Sequence, residues 1–348
     1  MDLFRSLSDI LGIQWAPLHV PLERRLQTLA VFCWFHFMTS FGVFSSIYLF
    51  IKLLYSSYWY LAIAYSVWML YDINTGQRGG RPRDWVRNWS WWRYHCNYFP
   101  TKMIKTAELD PSKNYLLACI PHGVICMGLF PVLAANVLEF GKHFPGIRRG
   151  FATLPLYFYV PFFREFAMAI GGTIASEESI VYSLDSKRYK GNAVAVIVGG
   201  AKEAAESHPG QYNTILRQRK GFIRCAIKSG ASLVPTITFG EVDLYDPVKK
   251  PEGTFARKCQ DMVYKLTGIN PLFPKARGLL QYSYGSVPYR KPLFVVIGAP
   301  MEVKKNHEPT PEEVDAVHAQ FIDEMVDLFE REKVHYVENH ENVKLNLL

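Results

Sequence analysis

Between residues 26 and 51 the chain contains no aspartate, glutamate, lysine or arginine, and after Lys52 none recurs before Asp72. Each charge-free run matches the ~20 residues a helix needs to cross a hydrocarbon core, and neither suits a solvated surface helix. Residues 26–72 therefore read as a helical hairpin, either seated in a membrane or buried inside a globular body. Other machineries are missing too. There is no G-x-S-x-G, H-E-x-x-H, G-x-x-x-x-G-K-[ST] or G-x-G-x-x-G, which excludes the usual serine-hydrolase, zinc-protease, P-loop and dinucleotide fingerprints. Six cysteines show no C-x-x-C and no paired spacing, so neither a disulfide framework nor a thiolate zinc site is legible. No secretory leader is expected: Asp2, Arg5 and Asp9 interrupt the first residues and no apolar h-region follows. Internal repeats and low-complexity tracts are absent.

Positive charge gathers where the apolar runs end. Arg24 and Arg25 precede the first, and Arg78, Arg81, Arg83, Arg87 and Arg93 follow the second. Basic residues at both outer ends place both on the cytosolic side, whether the hairpin crosses the bilayer or dips in and returns. Residues 1–25 would then form a cytosolic segment. In residues 73–105, Trp85, Trp89, Trp91, Trp92, Tyr94, Tyr98 and Phe99 interleave with Arg87 and Arg93, a mixture suited to a lipid headgroup interface. The net charge of +8 includes no long basic run, so membrane lipid is preferred over nucleic acid as the partner.

From residue 106 to 348 the pattern becomes α/β. Short apolar, β-branched runs at 115–120, 193–198, 232–238 and 293–297 read as strands. Near-continuous apolar strands imply a sheet covered on both faces. Segments 162–170, 220–229 and 255–266 carry helical spacing, and the apolar run 124–138 reads as a buried helix. Thr310-Pro311-Glu312-Glu313 is a capping box that opens a last helix reaching about Lys333.

Ten histidines are present, and only His122 lies at a strand-to-helix turn in an apolar setting, in Ile120-Pro121-His122-Gly123. His95, by contrast, reads as an ordinary loop or interface residue. Pro121 fixes φ and Gly123 frees it, so the turn can hold the ring as a base or simply as a structural hydrogen-bonder. In Val198-Gly199-Gly200-Ala201-Lys202-Glu203 a strand ends on paired glycines followed by a carboxylate. Backbone N–H groups there could meet an oxyanion, or the segment is a plain turn. Arg217-Gln218-Arg219-Lys220-Gly221-Phe222-Ile223-Arg224 opens a helix with clustered cations, which fits either an anion site or a solvated basic face.

These motifs carry a resemblance. Tyr98-Phe99-Pro100, Pro121-His122-Gly123, Phe162-Phe163-Arg164-Glu165, Gly199-Gly200-Ala201-Lys202-Glu203, Arg219-Lys220-Gly221-Phe222 and Phe239-Gly240-Glu241 occur in this order. With Tyr282-Ser283-Tyr284-Gly285 and Val287-Pro288-Tyr289, the chain resembles the type-two diacylglycerol acyltransferase family from about Ala16 to Lys333. Ala16-Pro17-Leu18 and Glu23-Arg24-Arg25-Leu26 are similar to the monoacylglycerol branch, and Val86-Arg87-Asn88-Trp89 to the diacylglycerol branch.

The resemblance implies an α/β fold with a glycerolipid-acyltransferase-like mixed sheet flanked by helices behind the N-terminal hairpin, and acyl transfer from acyl-CoA, a co-substrate, to an acylglycerol hydroxyl with no bound cofactor or metal. The place it implies is the endoplasmic reticulum membrane, with lipid droplets as a second location. A wax-alcohol acceptor and an inactive scaffold are the alternatives, and self-association stays open. The family's usual tetrapeptide begins with His where this chain has Ile120: if that first His is the base the protein is inactive, and if the second is, as the turn geometry favours, the base is His122. Pro274-Lys275-Ala276-Arg277-Gly278 stands where His-Gly-Arg-Gly is typical. Related glycerolipid acyltransferases place an Asp five residues after their His, where this chain has Met127. Glu203 is the first substitute for that carboxylate and Glu165 the second. Gly123, Gly199 and Gly200 are candidates to meet the oxyanion, and Pro121 to frame the substrate. Arg219, Lys220, Arg224 and Arg164 are candidates for the coenzyme phosphates.

Overall fold

The computed structural model describes residues 12–17, 19–204, 207–246, 258, 262–263, 265 and 275–348. Strands β1 (Lys102–Lys105), β2 (Tyr115–Ile120), β3 (Arg148–Thr153), β4 (Gly172–Ile174), β5 (Asn192–Ile197), β7 (Ser232–Phe239) and β8 (Phe294–Ile297) form a sheet in the order β1-β8-β7-β2-β5-β3-β4. Neighbours run parallel except the β7–β8 pair. A separate two-stranded ribbon joins β6 (Tyr212–Thr214) to β9 (Leu345–Leu347). The four expected strands are present within a residue or so. The others are short or begin on lysine or arginine, and so carry too little apolar pattern to be read.

Side chains on β2 alternate between two cores, as the period of a strand requires. Tyr115, Leu117 and Cys119 join one, and Leu116, Ala118 and Ile120 join the other. On the first face pack helices α1 (Leu22–His36), α4 (Ser90–Tyr98), α5 (Leu129–Ala134) and α6 (Phe163–Ala169), through Trp34, Trp92, Leu133 and Met168. On the second lie α7 (Glu177–Leu184), α9 (Gly221–Ser229) and α10 (Pro311–Tyr336), through Ile180, Ile223 and Phe321. The result is a three-layer α/β/α arrangement. Thr310 caps the last helix as expected, its Oγ1 accepting from the Glu313 amide at 3.2 Å, while the Glu313 carboxylate accepts from Asn306 Nδ2 at 2.7 Å; the helix runs three residues past Lys333.

Two expectations change. The run at 26–51 is not one straight helix: it bends by 67° between residues 22–39 and Gly42–Leu54 (α2), and no single described helix is long and apolar enough to cross a membrane. Its first half belongs to the globular core, where Trp34 meets Trp92 at 5.1 Å and Phe130 at 5.2 Å. Only α2 and α3 (Trp59–Tyr71) form the exposed hairpin. The helix expected over 124–138 shrinks to α5, because Cys126 at φ 56° breaks the helical path before it starts. The helix expected at 255–266 falls largely outside the described residues. His95 is no loop residue: it lies fully buried on α4 with neither ring nitrogen hydrogen-bonded, and burial holds its pKa down at about 3.

Candidate active site

Strands β5, β2 and β7 are parallel neighbours, so their C-terminal ends emerge side by side where strand order reverses, the usual place for a ligand site in such sheets. From β2 the chain continues into Pro121-His122-Gly123, from β5 into Val198-Gly199-Gly200, and from β7 into Gly240-Glu241. Sheet topology thus brings together groups that are up to 120 residues apart in sequence.

His122 is half-buried and lines a cavity of about 220 Å³ with Met38, Cys126, Phe130, Tyr157 and Gly200. Its Nδ1 lies 3.1 Å from the Gly123 carbonyl oxygen. That oxygen can only accept, so in the neutral ring Nδ1 carries the proton and Nε2 keeps its lone pair. Burial lowers the His122 pKa from its ordinary value, opposed by the Gly123 hydrogen bond and the negative charge of Glu203. The ring is therefore a neutral imidazole with a basic Nε2. Two other polar groups on the cavity wall are already engaged: Tyr157 Oη donates to the Met38 carbonyl at 2.9 Å and Thr39 Oγ1 to the Phe35 carbonyl at 2.7 Å. Cys126 Sγ donates to the His122 carbonyl at 3.0 Å, and burial, then the Glu241 charge, pushes this thiol well above its ordinary pKa. A thiol held in that state is a poor nucleophile.

Two buried carboxylates fix the loop that carries the ring. Glu203, 2% exposed, accepts the His122 amide at 2.6 Å through Oε1, and Thr214 Oγ1 at 2.7 Å and the Ile215 amide at 3.1 Å through Oε2. Glu241, 3% exposed, accepts the Met127 amide at 2.7 Å and the Gly128 amide at 2.8 Å, and burial raises its pKa to about 7. Glycine is required where these acids approach the chain. A Cβ on Gly123 would stand 2.5 Å from Glu241 Cγ, and one on Gly199 would collide with the Glu203 carboxylate.

The expected residues divide into those at the cavity and those elsewhere. His122 and Gly200 line it, Pro121 and Gly123 flank the ring, and Gly199 lies behind, against Glu203. The carboxylate of Glu203 grips the main chain of His122 rather than its ring. Glu165 is remote in role: with Arg81 and Asp72 it surrounds Arg164, which is 1% exposed. Arg164 donates to Glu165 at 2.6 Å and to the Asp72 carboxylate and carbonyl at 3.0 Å, and it does not line the cavity. With the Phe158 carbonyl taking Nε at 3.2 Å, all three of its nitrogens are engaged within the protein, and the side chain ties the segment after α3 to α6. Lys220 pairs with Asp315 at 2.6 Å and Arg224 with Glu177 at 2.6 Å, on the α9–α10 face of the sheet away from the core that holds α1 and α5. Arg219 sits at the N-terminal side of α9 and is likewise absent from the cavity wall. Ile120 is 1% exposed and faces the second core, so a ring there would point away from the cavity.

Sequence reasoning gave Glu241 no role beyond its place in the Phe239-Gly240-Glu241 motif, and it did not single out Cys126 or the wall from Met38 to Thr39. The signal for Glu241 was available: Phe239-Gly240-Glu241 repeats the motif of a strand ended by glycine and a carboxylate. The run containing Met38 offered none, because a membrane hairpin absorbed it. Among the described residues, no group of three or more His, Cys, Asp or Glu side chains is placed to hold a metal ion.

A family model described as diacylglycerol acyltransferase matches residues 51–347. The chain is 41% identical to a 2-acylglycerol O-acyltransferase 1 from Bos taurus, over 93% of this chain and 96% of that one. It is 39% identical to the Homo sapiens protein of the same name, over 96% and 99%. It is 36% identical to a diacylglycerol O-acyltransferase 2 from Bos taurus, over 96% and 92%. Among solved structures, a 1-acyl-sn-glycerophosphate acyltransferase from Thermotoga maritima overlaps 88% of the chain and 96% of its own length, at 11% identity and a TM-score of 0.38.

Proposed function

The chain belongs to the diacylglycerol acyltransferase family, and from that premise we propose that it transfers a fatty acyl group from acyl-CoA to the free hydroxyl of an acylglycerol, with His122 as general base. The observation that carries the role of His122 is the 3.1 Å approach of its Nδ1 to the Gly123 carbonyl oxygen on the wall of an apolar cavity; an oxygen that can only accept assigns the proton to Nδ1 and leaves Nε2 as the acceptor.

In this mechanism the acceptor hydroxyl oxygen attacks the thioester carbonyl carbon while Nε2 takes the hydroxyl proton. Negative charge develops on the carbonyl oxygen, and the Gly200 amide at the N-terminus of α8 (Gly200–Ala204) is the donor on the cavity wall suited to meet it. Collapse breaks the carbon–sulfur bond, and the departing thiolate recovers the proton from the imidazolium. The products are an ester and free coenzyme A. No acyl-enzyme is required, in keeping with the raised pKa of the cavity's Cys126 thiol.

The hairpin gives the reaction a lipid seat. Phe44 is 69% exposed, Leu49 55%, Leu61 49% and Leu70 70%, an apolar surface with no protein to cover it among the described residues. Each arm has 13 residues, which at 1.5 Å rise is about 20 Å, less than a ~30 Å hydrocarbon core. The hairpin enters the bilayer and returns, leaving both termini on the cytosolic face of the endoplasmic reticulum, with lipid droplets as a second location.

Greater identity to 2-acylglycerol acyltransferases (41%) than to diacylglycerol acyltransferase 2 (36%) makes 2-acylglycerol the acceptor to test first. Microsomes from cells expressing the full chain should receive radiolabelled acyl-CoA with 2-monoacylglycerol, diacylglycerol or a long-chain alcohol in parallel. Label should enter di- and triacylglycerol above the background of cells lacking the chain. Label entering only wax ester, or no product above background, would overturn the proposal.

A further inference from the structure

The basic end of α1 borders a second cavity, apart from the one that His122 lines, built around a cluster of arginines. Arg24, Arg25, Arg277 and Arg290 line a cavity of about 660 Å³ together with Tyr282 and the first residues of α1. Among the described residues, no carboxylate pairs with Arg24, Arg277 or Arg290. Two of the guanidiniums are held in place by neutral partners. Arg290 lies 4.2 Å over the Tyr98 ring and donates to Gln27 Oε1 at 2.6 Å, and Arg277 lies 4.5 Å over the Tyr282 ring. Burial lowers the Arg290 pKa, and the neighbouring charges of Arg24 and Arg277 lower it further. Pro21, at the N-cap of α1, supplies no side-chain capping bond, and the positive end of the helix dipole borders the cavity. Converging like charges are costly unless an anion completes them.

We propose that this cavity is a phosphate-binding site, whose occupant is either the phosphate-rich end of the acyl-CoA donor or the headgroup of a membrane phospholipid. Two features of its position fit these sources. Helix α1 and the turn after it run from Arg25, on the basic cavity, to Met38, on the His122 cavity, about 20 Å of helix, comparable to the extended pantetheine arm of coenzyme A. At its rim, Leu22 is 71% exposed and Leu280 60% exposed, an apolar border suited to a lipid surface. The donor assignment rests on the acyltransferase reading, whereas the phosphate chemistry does not.

The test uses the full-length protein in detergent micelles, with 3′,5′-adenosine bisphosphate as probe for the donor. Vesicles of phosphatidylcholine with and without phosphatidic acid probe the headgroup. The double variant Arg24→Gln/Arg277→Gln is compared with wild type and with Arg331→Gln, an exposed arginine on α10. Arg24→Gln alone, at an exposed position, serves if the double variant does not fold. The double variant should weaken one probe by about tenfold or more while Arg331→Gln leaves both unchanged. Lost nucleotide binding with a raised KM for acyl-CoA and an unchanged kcat assigns the site to the donor. Lost vesicle binding with an unchanged KM assigns it to the headgroup. Binding of both probes at wild-type strength overturns the proposal. A wild-type protein that binds 3′,5′-adenosine bisphosphate through these arginines yet transfers no acyl group would refute the proposed function and keep the site.

Discussion

Replacing Glu203 with glutamine tests whether a buried carboxylate positions the base through its main chain. The two carboxylate oxygens serve different partners: Oε1 takes the His122 amide at 2.6 Å, and Oε2 takes the Thr214 hydroxyl at 2.7 Å and the Ile215 amide at 3.1 Å. An amide has one acceptor oxygen. With that oxygen toward His122, its NH2 faces the Ile215 amide; turned the other way, it faces the His122 amide. Either orientation leaves one buried backbone donor opposite another donor, at about 1–3 kcal/mol. Relief comes from moving the loop, and a displacement of ~1 Å at a reacting group costs about 10²-fold in rate. The Glu203 charge also raises the His122 pKa, so its loss should move the acid limb of the kcat/KM profile to lower pH. The assay is initial-rate acyl transfer in microsomes across pH, normalised to protein level. Glu203→Gln should lower kcat by about 10²-fold and leave the KM for acyl-CoA near its wild-type value. A kcat within about threefold of wild type, with an unshifted acid limb, would refute the positioning role.

Three further outcomes follow. Glu241 has a folded pKa raised to about 7 from an unfolded value of 4.5, so the folded state binds more protons between these pH values and stability falls as pH rises through that window. Glu241→Gln should remove this slope, worth about 3 kcal/mol in all, and denaturant midpoints from pH 4.5 to 7.5 that stay parallel to wild type would argue against it. Ile120→His restores the family's usual first histidine but places a ring in the second core, so it should lower the melting temperature and leave turnover no higher; a gain in kcat would show that this position reaches the site. Lys220→Gln and Arg224→Gln break pairs with Asp315 and Glu177 on the far face, so the KM for acyl-CoA should stay within about twofold of wild type, and a rise of tenfold would return them to the coenzyme.

Much of the site was legible because local sequence dictates it. A strand ending in Pro121-His122-Gly123 and another ending in Gly199-Gly200 announce sharp turns at a sheet edge, and parallel pairing places them together. Which oxygen holds which amide was not legible, since Glu203 and Glu241 reach His122 and Met127 across 81 and 114 residues. The setting of the basic run was not legible for a similar reason: the acidic partners of Lys220 and Arg224, Asp315 and Glu177, lie on other helices. Arg164 looked like a phosphate ligand and is instead neutralised by Asp72, a residue at the end of the apolar run. The bend after Thr39 hid the largest surprise. Apolar residues that suit a bilayer suit a protein core equally well, and only packing against Trp92 and Phe130 assigns Trp34 to the core.

The most direct measurement is the turnover of His122→Ala, purified or in microsomes, beside a folding check by thermal melting. Among the described residues on the cavity wall His122 carries the only basic side-chain nitrogen, and its loss should cut kcat by about 10²–10⁴-fold with an intact melt. Acyl transfer at near wild-type rate by a folded His122→Ala protein would contradict the account.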